Sequence, residues 1–207
     1  MKDQICEAIE WGKSQGGCKP PNPAKSDLFE VDESSIPLSE KDSDMFHSVV
    51  QKLLCICKHT RPDIETAISF LCTRVSEPKH EDKVKLTRVL RYLEHTIDLV
   101  HTIGARSLLV LPTWVDASYA VHRDMRNHTR GLMSFGTGTI HCKSSKQKLN
   151  TKSSTEAELV GVSKYLPYHI WFMNFLKVQG INVQKKLLLQ DNQSTIRRER
   201  NGQNSCT

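Results

Sequence analysis

Read for hydrophobic and polar positions, the chain changes period once. From Asp44 onward, apolar residues recur at i, i+3, i+4 and i+7: Phe46, Val49, Val50, Leu53, Leu54 and Cys57. That spacing predicts a helix burying one face, with Ser43 or Asp44 as its cap. A second helix is predicted from Pro62, a residue suited to a first helical position, with Asp63 and Glu65 in its first turn. Its buried stripe is Ile64, Ala67, Ile68, Leu71, Cys72 and Val75. A third starts near Glu81 and Asp82 and buries Val84, Leu86, Val89, Leu90, Leu93 and Ile97. Three such helices with short connections predict a small bundle over residues 44–104. Residues 1–43 read as a linker or strap, because Gly16, Gly17, Pro20, Pro21 and Pro23 break regular elements. Ile5, Ala8 and Ile9 allow one short helix there, and Leu28, Phe29 and Val31 one short strand.

From Ala105 the pattern becomes strand-like. Leu108–Leu111 and Trp114–Ala117 read as extended, with Pro112 forcing a bend or an edge position. Gly131–Phe135 and Thr139–Lys143 read as two further strands joined by the GTG turn. A helix is expected from Thr155 to about Lys164, with Pro167 kinking it or starting another that Gly180 ends. Lys186–Gln190 reads as a short buried strand and Ser194–Arg200 as a last helix. Strands, helix, strand and helix in this order predict a mixed α/β layer over residues 105–207.

Composition narrows the setting. No apolar run approaches the ~18 residues a membrane span needs, and the acids in MKDQICEAIEWGK interrupt any signal-peptide core. These features point to a soluble, intracellular chain without a membrane partner. The net charge of +6 is a modest surplus, consistent with a polyanionic partner. Seven cysteines, odd in number and without CxxC or zinc spacing, predict reduced, metal-free thiols.

Carboxylates carry the candidate chemistry. Asp116 lies in TWVDASYA, Glu156 and Glu158 open the apolar helix in KSSTEAELVGV, and Asp191 ends the run LLLQD. Each acid has an ordinary explanation. Asp116 suits a turn at a strand end. Ser153 with Glu156, and Thr155 with Glu158, both fit a capping box, and Asp191 suits a helix cap. Taken together, acids on strand, helix and strand form the pattern of a magnesium-binding carboxylate cluster, since magnesium takes hard oxygen ligands. Arg123, Arg126, Arg130, Lys143, Lys146, Lys148 and Lys152 fall between Asp116 and the glutamate pair, with Asp124 alone opposing them. They read either as a solvated face or as a basic rim that holds phosphates.

The runs WVDASYA, KSSKQKLNTKSSTEAELVGVSK and LQDNQSTI resemble the ribonuclease H segment of copia-like LTR retrotransposon Pol polyproteins. TRPDIETAISFL and LTRVLRYLEHTIDL are similar to the segment that joins reverse transcriptase to ribonuclease H in those elements. The likeness covers roughly residues 44–200. It implies a ribonuclease H-like mixed sheet with flanking helices (residues 105–207), preceded by a helical connection segment (44–104). It implies metal-dependent hydrolysis of the RNA strand of RNA–DNA hybrids with two Mg2+ ions, or Mn2+, and the polymerase portion of the same polyprotein as a partner. The implied setting is intracellular, in cytoplasmic virus-like particles or the nucleus. Carried over by motif, the metal and catalytic acids are Asp116, Glu158 and Asp191. Glu158 fits because Leu159, Val160, Gly161 and Val162 follow it, whereas Glu156 is left as the capping partner of Ser153. Expected nucleic-acid contacts are Arg123, Arg126, Arg130, Lys143, Lys146, Lys148, Ser118, Asn192 and Gln193.

The family carries a fourth metal aspartate in a later, histidine-bearing segment that this sequence lacks, so weak or absent hydrolysis is expected. The rival from another class is a non-catalytic module that grips hybrid duplex. An integrase-type nuclease shares the fold but places its glutamate last rather than between the two aspartates.

Overall fold

The computed structural model describes residues 2–12 and 19–202. Gly16, Gly17, Cys18 and Cys206 lie outside them. The chain divides into two compact units, Met1–His101 and Thr102–Thr207, and its elements are mixed α/β.

The first unit contains α1 (Lys2–Gly12), α2 (Glu40–His59), a 3-10 turn (Pro62–Ile64) running into α3 (Glu65–Cys72), and α4 (His80–His95). Among the described residues it has four α-helices, three between residues 40 and 95 and the short one that Ile5, Ala8 and Ile9 allow. That short helix is α1, whose Ile5, Ala8 and Ile9 form one helical stripe and join the core with Leu28 and Leu38. Much of the stretch expected to be a strap is therefore packed. The cap of α2 is Ser39 rather than Ser43 or Asp44; its side chain accepts from the Asp42 N–H at 3.3 Å. Val84 is exposed because α4 turns Leu86, Val89, Leu90 and Leu93 inward, about half a turn away.

The TRPDI run has a structural explanation. Arg61 is 3% exposed. Its Nε and Nη2 donate to the Asp63 carboxylate at 3.0 and 2.7 Å, and Nη1 and Nη2 donate to the Thr96 carbonyl and hydroxyl at 2.9 and 2.6 Å. The Tyr92 hydroxyl also donates to Asp63 at 2.8 Å. One guanidinium thus fastens the start of the 3-10 turn to the C-terminal end of α4. Burial works to raise the Asp63 pKa, but the hydrogen bonds from Arg61 and Tyr92 and the Arg61 charge hold it below the usual value.

The second unit contains β1 (Gly104–Ala105), β2 (Val110–Ser118), β3 (His128–Met133), β4 (Gly136–Thr137), β5 (His141–Lys146), α5 (Ser154–Val178), β6 (Lys185–Leu189) and α6 (Gln193–Asn201). The main sheet has the order β5-β3-β2-β6, with β6 parallel to β2 and the other pairs antiparallel; β1 and β4 form a separate ribbon. Along β2 the burial alternates. Leu111, Thr113, Val115 and Ala117 are buried while Trp114, Asp116 and Ser118 are exposed, the pattern of a sheet covered on one face. α5 supplies that cover, joining Val162, Tyr165 and Leu176 to Leu111, Val115 and Met133 in one core.

Two glycines set how closely α5 approaches the sheet. A Cβ on Gly131 would lie 2.2 Å from Tyr165 Cδ2, so the tyrosine ring occupies the space a side chain would need. A Cβ on Gly161 would lie 3.3 Å from Thr129 Cγ2 and 3.5 Å from Ala117 Cβ. At that point the helix lies directly against the strand that carries Asp116.

Several expected boundaries move. α5 is one helix with Pro167 inside it. Pro112 is a residue of β2, one position before the ladder to β3 begins at Thr113, so its missing N–H leaves no gap there. β6 is an edge strand rather than a buried one: Leu187 and Leu189 are exposed, and Leu188 packs against the α5-side core. The GTG run supplies β4, and β3 and β5 lie a few residues from their expected limits.

Candidate metal centre

Three elements bring three acids together. Asp116 is near the end of β2, opposite Arg130 of β3; Glu158 is in the second turn of α5; Asp191 follows the end of β6. One carboxylate oxygen from each lies within 4.8 Å of the others. Asp116 and Asp191 are exposed, whereas Glu158 is 5% exposed. Burial pushes the Glu158 pKa up. The Gln190 side chain and the Ala117 N–H pull it back down, and the charges of Asp116 and Asp191 push it up again, leaving it raised.

The capping alternatives resolve locally. Ser153 caps α5, accepting from the Glu156 N–H at 3.2 Å. The Glu156 carboxylate accepts in turn from the Lys152 N–H at 2.7 Å, one residue earlier than a strict capping box requires. Asn192, not Asp191, caps α6, accepting from the Thr195 N–H at 3.0 Å. Both helix starts are satisfied without Glu158 or Asp191.

Gln190 gave no functional signal in the sequence beyond being a polar residue at the end of an apolar run. Its Nε2 donates to Glu158 Oε2 at 2.8 Å, while its Oε1 accepts from the N–H groups of Asp191 and Asn192 at 2.9 and 3.4 Å. Also missed were Asn127 and Gln147, both fully or almost fully buried. Asn127 Nδ2 donates to Gln147 Oε1 and Thr151 Oγ1, each at 2.9 Å, and Asn127 Oδ1 accepts from the Ala120 N–H at 2.9 Å. Gln147 Nε2 donates to Thr129 Oγ1 and to the Ala157 carbonyl, both at 2.8 Å. This network ties the loop after β2, the strand that carries Asp116, to β3 and to the first turns of α5, the helix that carries Glu158.

The expected basic rim is divided. Arg130 is exposed on the sheet face away from α5, beside Asp116. There it lines a cleft of about 530 Å3 with Trp114, Leu132, Ser134 and Thr139. Lys143 points the other way, donating to the Tyr168 hydroxyl with its Nζ 4.5 Å from that ring centroid. Arg126 and Lys146 pair with Asp124 at 3.3 and 2.8 Å. Arg123, Lys148, Ser118 and Gln193 are exposed, and Asn192 is occupied as a cap.

A buried histidine chain supports the loop after β2. His122 and His128 approach through Nε2 and Nδ1 at 3.0 Å, and His128 Nε2 lies 2.6 Å from Ser144 Oγ. Burial, aided by the Lys146 charge, pushes His122 down to about 4. Burial, aided by the charges of His122 and Lys164, pushes His128 down to about 3. Cys6, Cys55, Cys57, Cys72 and Cys142 are free thiols. No described helix is long and apolar enough to cross a membrane.

The donor set fits a hard divalent cation: three convergent carboxylates, one of them buried and held by neutral donors. Comparison with known proteins places the chain among mobile-element products. It is 30% identical over 152 residues to the retrovirus-related Pol polyprotein from transposon TNT 1-94 of Nicotiana tabacum, covering 73% of this chain and 11% of that protein. It is 35% identical over 118 residues to an uncharacterized mitochondrial protein of Arabidopsis thaliana, covering 56% of this chain and 49% of that protein. A secreted RxLR effector protein of Plasmopara viticola is 32% identical over 127 residues, covering 60% of this chain and 88% of that protein. No protein-family profile matches the chain, and no solved structure does. Over 60–73% of its length the chain is similar to the Pol polyproteins of copia-type retrotransposons. It spans about a tenth of the tobacco polyprotein and about half of the Arabidopsis mitochondrial protein.

Proposed function

We propose that the second unit is a ribonuclease H-like domain that binds Mg2+ or Mn2+ and acts on the RNA strand of RNA–DNA hybrids, alongside the polymerase portion of the same polyprotein. On this reading the helical unit is the connection to that polymerase, and the setting is intracellular, in virus-like particles or the nucleus. The observation that carries it is the convergence of Asp116, Glu158 and Asp191 from β2, α5 and the end of β6, with one oxygen of each within 4.8 Å.

Asp116, Glu158 and Asp191 would hold the cation. The metal, when bound, supplies charge that activates a water and stabilises a leaving 3′ oxygen. Asp116 and Asp191 face solvent and can reach a bound phosphodiester, while Glu158 is fixed from behind by Gln190. Arg130, opposite Asp116, is placed to pair with a phosphate of the duplex. Discrimination of RNA from DNA requires a contact to the 2′-hydroxyl, for which Ser118 and Gln193 are the nearest exposed polar candidates along the chain.

A second reading has its own support. Among the described residues the cluster contains three carboxylates, enough to seat one ion and fewer than the four its relatives in chemistry use. On that reading the unit grips hybrid without cleaving it. One experiment separates the two: the purified full chain is given a labelled RNA–DNA hybrid with Mg2+ or Mn2+. Metal-dependent cleavage lost in Asp116→Asn supports the nuclease. Salt-dependent binding without cleavage supports the grip. Failure to bind either metal or hybrid overturns both.

A further inference from the structure

We propose that Gln190 is the positioning residue of this centre: its single amide braces Glu158 on α5 to the backbone that carries Asp191. The inference rests on the reading of Asp116, Glu158 and Asp191 as a cation site. Its own basis is the set of three hydrogen bonds. Nε2 donates to Glu158 Oε2 at 2.8 Å, and Oε1 accepts from the Asp191 and Asn192 N–H groups at 2.9 and 3.4 Å. The two ends of an amide are not interchangeable in such a setting. A flipped Gln190 would set its NH2 against two N–H groups and its oxygen against a carboxylate. One orientation satisfies all three partners.

Packing alone does not call for an amide at this position. Gln190 continues the run Leu187, Leu188 and Leu189, and an apolar side chain would suit its half-buried position. α6 has a separate tether to α5, since Thr195, fully buried, donates from Oγ1 to the Thr155 carbonyl at 3.2 Å. What Gln190 adds is a direct side-chain link between two acids that come from different elements. It fixes the rotation of the Glu158 carboxylate and sets the distance to the Asp191 backbone. Groups behind a ligand that orient it in this way tune metal affinity without touching the metal.

The test is Mn2+ titration of the full chain by calorimetry or electron paramagnetic resonance, with metal-free melting recorded for each variant. Gln190→Met preserves shape and removes both ends of the brace. It is expected to weaken Mn2+ binding about 10-fold in a chain that still melts cooperatively without metal, at a temperature lowered by the hydrogen bond that the buried Glu158 carboxylate loses. Asp116→Asn and Asp191→Asn should lose binding outright. In the wild type, the Gln190 side-chain NH2 should exchange slowly with solvent, and Glu158→Ala should release it. If Gln190→Met does not fold, Gln190→Asn decides, being polar but one methylene too short to span both partners, with the same loss expected. Wild-type Mn2+ affinity in the folded Gln190 variant, with affinity lost in Asp116→Asn, overturns the brace and leaves the cation centre standing. A wild-type chain that binds no Mn2+ overturns the centre and the brace with it.

Discussion

The side-chain amides of Asn127 and Gln147 meet at 2.9 Å in the interior of the second unit, and between them they hold the loop after β2, the strand β3 and the N-terminal turns of α5. Removing either leaves buried partners without hydrogen bonds, each at a cost of about 1–3 kcal/mol. Asn127→Ala and Gln147→Ala should each destabilise this unit, and the double variant should lose less than the sum. Denaturant unfolding of chains carrying Trp11→Phe, with Trp114 and Trp171 as reporters, measures it.

The buried histidines give the same unit an acid limit. His122 and His128 have folded pKa values near 4 and 3 against an ordinary 6.5, so the unfolded chain takes up their protons first. Stability is complete above pH 6.5 and falls as pH drops toward 4, by about 1.4 kcal/mol per pH unit for each proton taken up. His128→Asn should flatten that slope in a pH series of melting curves.

In the first unit the sign is set by Asp63. Its folded pKa is lower than the ordinary 3.8. The stabilisation is therefore present above that value and is lost as pH falls through the lower folded value. Arg61→Ala leaves a partly buried carboxylate unpaired and should cost about 3 kcal/mol, read as faster hydrogen exchange throughout α3 and α4.

Tyr165 fills the space above Gly131. Gly131→Ala should destabilise the second unit by about 1–3 kcal/mol through overpacking. Combining it with Tyr165→Leu should recover part of the loss, and urea unfolding of the single and double variants tests this.

Glu158 opposes its own fold. Its pKa is raised above the ordinary 4.5, so the folded state binds its proton more tightly than the unfolded state does. Stability falls as pH rises from 4.5 through the folded value. Glu158→Gln should raise the metal-free melting temperature at pH 7, lose that gain below pH 4.5, and abolish Mn2+ binding. Melting curves at two pH values with and without metal decide it.

Periodicity in the sequence located α2, α3, α4 and α5, because a buried stripe such as Phe46, Val49, Val50 and Leu53 writes its own spacing. It underrated α1, since Ile5, Ala8 and Ile9 make a stripe of only three residues, followed by glycines and prolines. β6 looked buried because Leu187, Leu188 and Leu189 are all apolar, but only sheet order reveals an edge. The three acids were legible from their motifs. Gln190, Asn127 and Gln147 were not, because a buried amide is identified by its partners in space and no local spacing announces it. The basic rim was over-read: chain proximity says nothing about which face a lysine on an edge strand will take, and Lys143 takes the face under α5.

The helix starts beside the acids have a consequence for descent. Ser153 and Glu156 begin α5, and Asn192 begins α6, so neither Glu158 nor Asp191 is needed to cap a helix. A sequence that drifts at those two positions would keep both helix starts while losing two of the three acids that converge here. Overall shape would then not distinguish a copy that kept the acids from one that lost them; only the acids themselves, and the binding of a cation, would tell the two apart.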